Sequence, residues 1–539
     1  MEDIKKLVRQ HFPFETFNPG QEEAIIQIVE AVLSGAKHIV LGSPVATGKS
    51  AIATTVHRVL KHMRNSWRST IVTSSKGLQN QYVTDDPSIC DLKGRSNYPC
   101  QHGKGYYNTP DCRKHQAIGK CSKQAHCAYY RQRKEWSDKA PLRLTNTAFH
   151  IVAGETVLAS DSTRANLVII DECHELPKLL VEHATFKISL KECFYLEKCF
   201  GEWMMGSLAE FINTFMNYKS GVPFKTESAL VESITRFENE IQEATVLLEA
   251  MEKDSQTKPD VVSGAKEEIE NLLCNLNNML AGGEWLIMDF SASESVEIKP
   301  VYAAQVAYSS MFYKCTQFLH MSATICGYEE YCSSLGIKRE DAVFVDVKNP
   351  IPISNRPVVV LNHMKVSKDF DRQKLADMVD VIVDKHGKEN GVIHTVSFKL
   401  AEEIKLHSRH SKRMIISNDR REILGALKKS NSGAIILSPS ITTGYDFKGD
   451  LARWQIIAKV PFMNFFADPW IKLNMDRSPR WYSREAILSL VQASGRVCRG
   501  LTDKGVTYIA DANFMFLFKQ NHDLFPDWFI DALIIPRKK

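Results

Sequence analysis

One eight-residue stretch limits what this 539-residue chain can fold into more than any other. Ser43-Pro44-Val45-Ala46-Thr47-Gly48-Lys49-Ser50 follows the apolar run His38–Leu41 and opens a helical pattern that continues to Met63. A strand feeding a glycine-bearing turn and then a helix brings backbone N–H groups and a helix N-terminus to one point, which suits a phosphate. In a loop of this kind Lys49 reaches the β- and γ-phosphates of a nucleotide, and Ser50 ligates Mg²⁺. The strict pattern has Gly where Ser43 stands, but Thr47, Gly48, Lys49 and Ser50 are in place.

A second motif agrees with the first. The apolar run Val168-Ile169-Ile170 leads into Asp171-Glu172-Cys173-His174. A strand ending in two acids supplies one carboxylate for the Mg²⁺ shell (Asp171) and one to orient and activate water (Glu172). The surrounding pattern is α/β. Gln21 to Leu33 carries a helical apolar stripe, and Thr70–Thr73 and Phe318–Met321 read as further strands. The second half repeats the style, with strand-like runs at Val392–Val396, Ala434–Leu437, Gln455–Ala458 and Val506–Ile509 and helices at Lys399–His407 and Arg484–Ser494. The predicted fold is therefore two parallel-sheet lobes, with a boundary where three prolines fall between Pro350 and Pro357. Two segments break the pattern and read as insertions into the first lobe. Residues 86–140 are rich in Cys, Gly, Tyr and Lys, and residues 181–300 are mostly helical, most clearly at Glu238–Met251 and Lys266–Leu280. The first lobe is then expected over 1–85, 141–180 and 301–349, and the second over 350–539.

Hydrophobic residues at 44% and charged residues at 24% exclude disorder, collagen and coiled coil for the chain as a whole. The net charge of +5 is modest, but its placement is not even. Between Cys90 and Arg143 twelve Lys or Arg face four Asp or Glu, whereas between Lys225 and Lys299 sixteen acids face six bases. A concentrated basic patch is a footprint for a polyanion. The charged N-terminus has no apolar signal region, and no run of about 18 apolar residues exists to span a membrane. Thirteen cysteines, an odd number, fit a reducing compartment, so their clustering in the basic insert points to a metal.

Further pieces resemble superfamily 2 helicases, in order. Thr73 to Gln81 is similar to motif Ia, Ser322-Ala323-Thr324 to motif III, Thr443-Gly444-Tyr445-Asp446 to motif V, and Gln492 through Arg499 to motif VI. Phe17-Asn18-Pro19-Gly20-Gln21 and Lys93-Gly94-Arg95-Ser96-Asn97-Tyr98-Pro99-Cys100 narrow the resemblance to the DinG/XPD family of DNA helicases, over nearly the whole chain. The resemblance implies two RecA-like motor domains with an iron–sulfur insertion and a helical Arch-like insertion. It implies adenine reading by Gln21, ATP and Mg²⁺ binding by Ser43, Thr47, Gly48, Lys49, Ser50, Asp171, Asp446 and Gln492, and arginine fingers at Arg496 and Arg499. Coupling and DNA contact fall to Thr73, Ser322, Thr324 and Thr443. A [4Fe–4S] cluster would rest on Cys100, Cys112, Cys121 and Cys127, whose spacing alone leaves iron–sulfur and zinc both open. Tyr106, Tyr107, Tyr129, Tyr130 and Trp136 either stack on bases or pack around that cluster. The implied activity is 5′→3′ DNA unwinding in replication, recombination or repair. The expected partners are single-stranded and forked DNA, with no membrane. The chain would act as a monomer inside the cell, in cytoplasm or nucleoid, or in an infected host cell if phage-encoded. Translocation without unwinding, an RNA or R-loop substrate, and a metal-stapled nucleic-acid-binding protein without ATPase activity are the alternatives. The chain departs from the family at Asn18 (Arg is common), at Val45-Ala46 (Thr-Gly is usual) and at Cys173 (Ala is usual).

Overall fold

The computed structural model describes residues 2–94, 97–99, 126–152, 164–216, 218–253, 259–288, 295–367, 369–430, 433–440 and 447–535. Among these, seven strands form a first sheet. In spatial order they are Ala342–Asp346, His38–Gly42, Phe318–Ser322, Leu167–Asp171, Ser69–Thr73, Leu142–Asn146 and Cys90–Asp91, and each neighbouring pair is parallel. Successive side chains of a strand point to opposite faces. Ile39, Leu41 and Ile169 enter one apolar cluster, together with the helices Gln21–Leu33 and Lys49–Met63, while Val40, Val168 and Ile170 enter another. Both faces are covered, which is why these strands read as continuous apolar runs rather than as alternation.

A second sheet of seven described strands runs Met414–Ile416, Ile435–Ser438, Gly391–His394, Trp454–Ile457, Val506–Asp511, Val358–Met364 and Leu533–Ile534, again parallel throughout. The chain passes from one sheet to the other across residues 347–357. On the second sheet lies the helix Pro479–Ser494. Ser478 caps its start by accepting the Trp481 N–H, and Pro479 sits where no N–H is needed. Its Ile487, Leu490 and Val491 are buried against Ile457 and Ile509 of the sheet.

The helical insert is only partly helical. Its helices Leu190–Phe200, Glu202–Met216, Ser228–Lys253 and Pro259–Leu280 stand on an antiparallel sheet ordered Phe186–Ser189, Ser295–Pro300, Glu284–Ile287, Pro223–Lys225. The entering strand pairs with the leaving one, Phe186 opposite Ile298, so the insert is tied at its base. Phe186 and Ile188 are buried while Lys187 is exposed, a true alternation over a span too short to register in the sequence pattern. No described helix is long and apolar enough to cross a membrane.

Candidate nucleotide site

Three neighbouring strands of the first sheet deliver their carboxyl ends to one place, where ligands bind in open parallel sheets. His38–Gly42 leads into the loop, Leu167–Asp171 ends in the acids, and Phe318–Ser322 lies between them. The Ser43 N–H donates to Ser322 O at 2.9 Å, joining loop to strand end. Inside the loop Thr47 donates to Pro44 O at 2.7 Å and accepts from Ser43 Oγ at 2.5 Å. Ser43, the residue at the pattern's glycine position, thus closes the turn from within. Gly48 has φ 78°, and a Cβ there would meet Gln21 Nε2 at 2.8 Å. Gln21 is buried beneath the loop, donating to Thr47 O at 2.9 Å and accepting the Asn18 N–H at 3.0 Å. Its amide nitrogen thus clamps the loop from beneath, while its amide oxygen holds the Asn18 backbone. Ala46 has φ 67°, a left-handed conformation that costs a side-chain-bearing residue roughly 1–2 kcal/mol. Asn18 Nδ2 holds the Ala46 carbonyl at 3.1 Å.

Lys49 opens the helix, with its Nζ 3.4 Å from Glu172 Oε1. Ser50 Oγ donates to Asp85 Oδ2 at 3.1 Å. Asp171 is buried and accepts from Tyr82 OH at 3.1 Å and from the Glu172 N–H at 3.0 Å. Burial, then the neighbouring Glu172, pushes the Asp171 carboxyl up to about 6. Burial would raise Glu172 too, but Lys49, foremost, and the charge of Arg496 hold it down to about 2. Glu172 therefore stays ionised at neutral pH. Because Asp171 binds its proton more tightly folded than unfolded, it weakens the fold as pH rises through about 6 and stops doing so as pH falls toward its ordinary 3.8. Asp171→Asn is expected to stabilise the protein at neutral pH by roughly 1–2 kcal/mol. It should also flatten the melting midpoint between about pH 4 and 6, which calorimetry of both proteins across that window checks.

His174 joins the two lobes. Its Nδ1 lies 2.7 Å from Ser322 Oγ, and its Nε2 meets the side-chain Nε2 of Gln492, in the last turn of the second-lobe helix. Burial drives the imidazole down to about 4, so it is neutral. The Gln492 amide donates to Nε2, which assigns the ring proton to Nδ1 and the second bond to Ser322. Ser322 Oγ also accepts the Thr324 N–H at 3.0 Å. Two residues past that helix, Arg496 lies close enough for its charge to act on Glu172, His174 and Glu175. The Arg499 N–H is anchored to Asp503 Oδ2 at 3.1 Å.

Other expectations fare differently. Thr73 is fully buried and its hydroxyl donates to Ser75 O at 3.3 Å, while Ser75 and Lys76 beside it are exposed. Tyr129 and Trp136 are buried with Leu92 and Cys127, which decides for packing over base stacking at these two positions. Arg143 is also buried, its cation 5.2 Å from the Trp136 ring centre, so one charge of the basic patch is used internally. Cys90, Cys127 and Gln132 lie together here, with Gln132 donating to Cys90 Sγ at 3.5 Å. Cys100, Cys112, Cys121, Tyr106, Tyr107, Thr443 and Asp446 lie outside the described residues. Sequence reasoning missed Tyr82, Asp85 and Gln455, which no motif marks.

The fold is two parallel-sheet lobes, with a glycine-bearing loop and an acidic strand end together at the carboxyl edge of the first. Residues 382–531 match the helicase C-terminal domain family. The solved structures narrow the fold to that of XPD helicases. An XPD helicase structure superposes with a TM-score of 0.60 at 14% identity, covering 97% of this chain and 100% of the other. The S. tokodaii Xpd4 structure gives 0.60 at 13% identity over 96% and 100%. An apo XPD structure gives 0.57 at 14% identity over 95% and 100%. At such identities the likeness is one of fold. No curated protein sequence matches the chain.

Proposed function

We propose that the chain is an ATP-dependent DNA helicase that moves 5′→3′ along single-stranded DNA. The carrying observation is the His174 bridge, which links the acidic strand end to Ser322 in one lobe and to Gln492 in the other. The residue set fits a magnesium nucleotide: a glycine-bearing turn at a helix N-terminus, one lysine, one hydroxyl and two carboxylates. Lys49 and the 47–50 backbone hold the phosphates, while Ser50 and Asp171 serve the Mg²⁺. Glu172, ionised, takes the proton of the attacking water. Arg496 supplies positive charge where it develops on the γ-phosphate. Hydrolysis removes that γ-phosphate and so loosens the lobes, and the His174 contacts pass the change to both sheets, alternating their grip on the strand.

Cys127 is buried against Leu92, Tyr129 and Trp136, an apolar wall that suits an iron–sulfur cluster. With Cys100, Cys112 and Cys121 it would hold a [4Fe–4S] group that staples the basic insert beside the DNA path. Among the described residues no three potential metal ligands cluster, so this assignment rests on the resemblance and on the donor chemistry.

The test is strand displacement by anaerobically purified protein on duplexes with a 5′ or a 3′ single-stranded tail. Unwinding of the 5′-tailed duplex alone is the expected result. Unwinding of the 3′-tailed duplex alone overturns the polarity. DNA-stimulated ATP hydrolysis without displacement converts the reading to a translocase, and its absence removes the motor reading.

A further inference from the structure

The carboxyl end of the helix Pro479–Ser494 does two jobs, presenting Gln492 to His174 and leading the chain into Arg496. A helix end leaves its last carbonyls without partners inside the helix. Here the Ala493 and Ser494 carbonyls accept from Gln455 Nε2 at 2.8 and 2.9 Å. The Ser494 carbonyl also accepts from Thr507 Oγ1 at 3.3 Å. Gln455 Oε1 in turn accepts from His394 Nε2 at 3.0 Å. Since Gln455 presents an acceptor there, the ring proton of the neutral His394 sits on Nε2.

Three adjacent strands, Gly391–His394, Trp454–Ile457 and Val506–Asp511, each give one polar side chain to this network. All three are buried, Gln455 completely. An amide in the centre of an apolar sheet is costly unless its groups are paired. Packing a helix on a sheet does not require one, because Met or Leu fills the same space. What the amide adds is a fixed position for the last carbonyls of this one helix.

Resting on the reading of Arg496 as a finger, we infer that Gln455 is a positioning residue for hydrolysis. Oriented by His394 and backed by Thr507, it sets where the helix stops and hence where Arg496 enters the nucleotide site. A misplacement of about 1 Å costs up to about a hundredfold in rate.

The experiment uses the full chain with Gln455→Met, close in volume, measured in DNA-stimulated ATP turnover. The expected result is a kcat about ten- to a hundredfold lower, with KM for ATP within about threefold, because the phosphate loop belongs to the other lobe. In an Arg496→Ala background the same change should cost less than about twofold. A folded Gln455→Met protein with wild-type kcat overturns the inference, and so does an undiminished loss in the Arg496→Ala background, which is what a merely structural amide would give. If Gln455→Met does not fold, Thr507→Val decides: a smaller fall in kcat at unchanged KM supports the inference, and an unchanged kcat overturns it. A wild-type protein that hydrolyses no ATP removes the reading of the site itself. One that is active, and inactive as Lys49→Ala, but indifferent at Gln455 removes only this inference.

Discussion

Lys49→Ala is expected to lower ATP turnover by roughly three orders of magnitude or more, with the melting midpoint close to that of the parent protein. The lysine is the cation of the proposed phosphate loop and stands 3.4 Å from Glu172. Its loss acts twice. The phosphates lose their point charge, and Glu172 loses the largest of the influences that keep it ionised against burial. The helix that begins at Lys49 is held by Ile52, Val56, Val59 and Leu60 in the core, so the fold should survive. Turnover measured beside a thermal melt checks both halves. Retained hydrolysis would refute the phosphate-loop assignment.

Glu172→Gln should lower kcat by about 10²- to 10⁴-fold while nucleotide binding is kept or tightened. Lys49 holds the carboxylate ionised at neutral pH, so it has a site to receive a proton, which the neutral amide of Gln lacks. The substitution keeps size and tolerates the same left-handed backbone, φ 53° at this residue. It also removes a negative charge facing the incoming phosphates and releases Lys49 toward them. Single-turnover hydrolysis compared with equilibrium binding of the nucleotide separates the two effects. An unchanged kcat would show that the water is activated by another group.

Much of the two-lobed fold is legible in the amino-acid sequence. The helix Gln21–Leu33 and the strands around the two phosphate-site motifs lie where the sequence pattern puts them, because strands buried on both faces are uninterrupted apolar runs and helices carry a stripe. The small antiparallel sheet under the helical insert is not legible, since strands of three to six residues leave too few alternations. Within the site, motif spacing names Lys49, Asp171, Glu172 and His174 but gives no direction to the side chains. That Thr73 turns inward and that Asn18 holds Ala46 are facts of three-dimensional packing. Gln455 is invisible in the sequence for a plainer reason. Its importance comes from a helix end 38 residues away, and nothing in Trp454-Gln455-Ile456-Ile457 announces it.

The order of strands in the first sheet also bears on how the chain is made. His38–Gly42 is paired on one side with Phe318–Ser322 and on the other with Ala342–Asp346. A ribosome must therefore deliver residue 346 before the strand that carries the phosphate loop has both neighbours. During that interval the loop strand is an apolar ribbon with two open edges, the kind of segment that pairs with the wrong chain. Closing contacts across some three hundred residues is also slow. Synthesis of this protein should consequently lean on holdase chaperones through most of its length. Truncations that stop short of Ala342 should collect in the insoluble fraction, even though every residue of the phosphate loop is present in them.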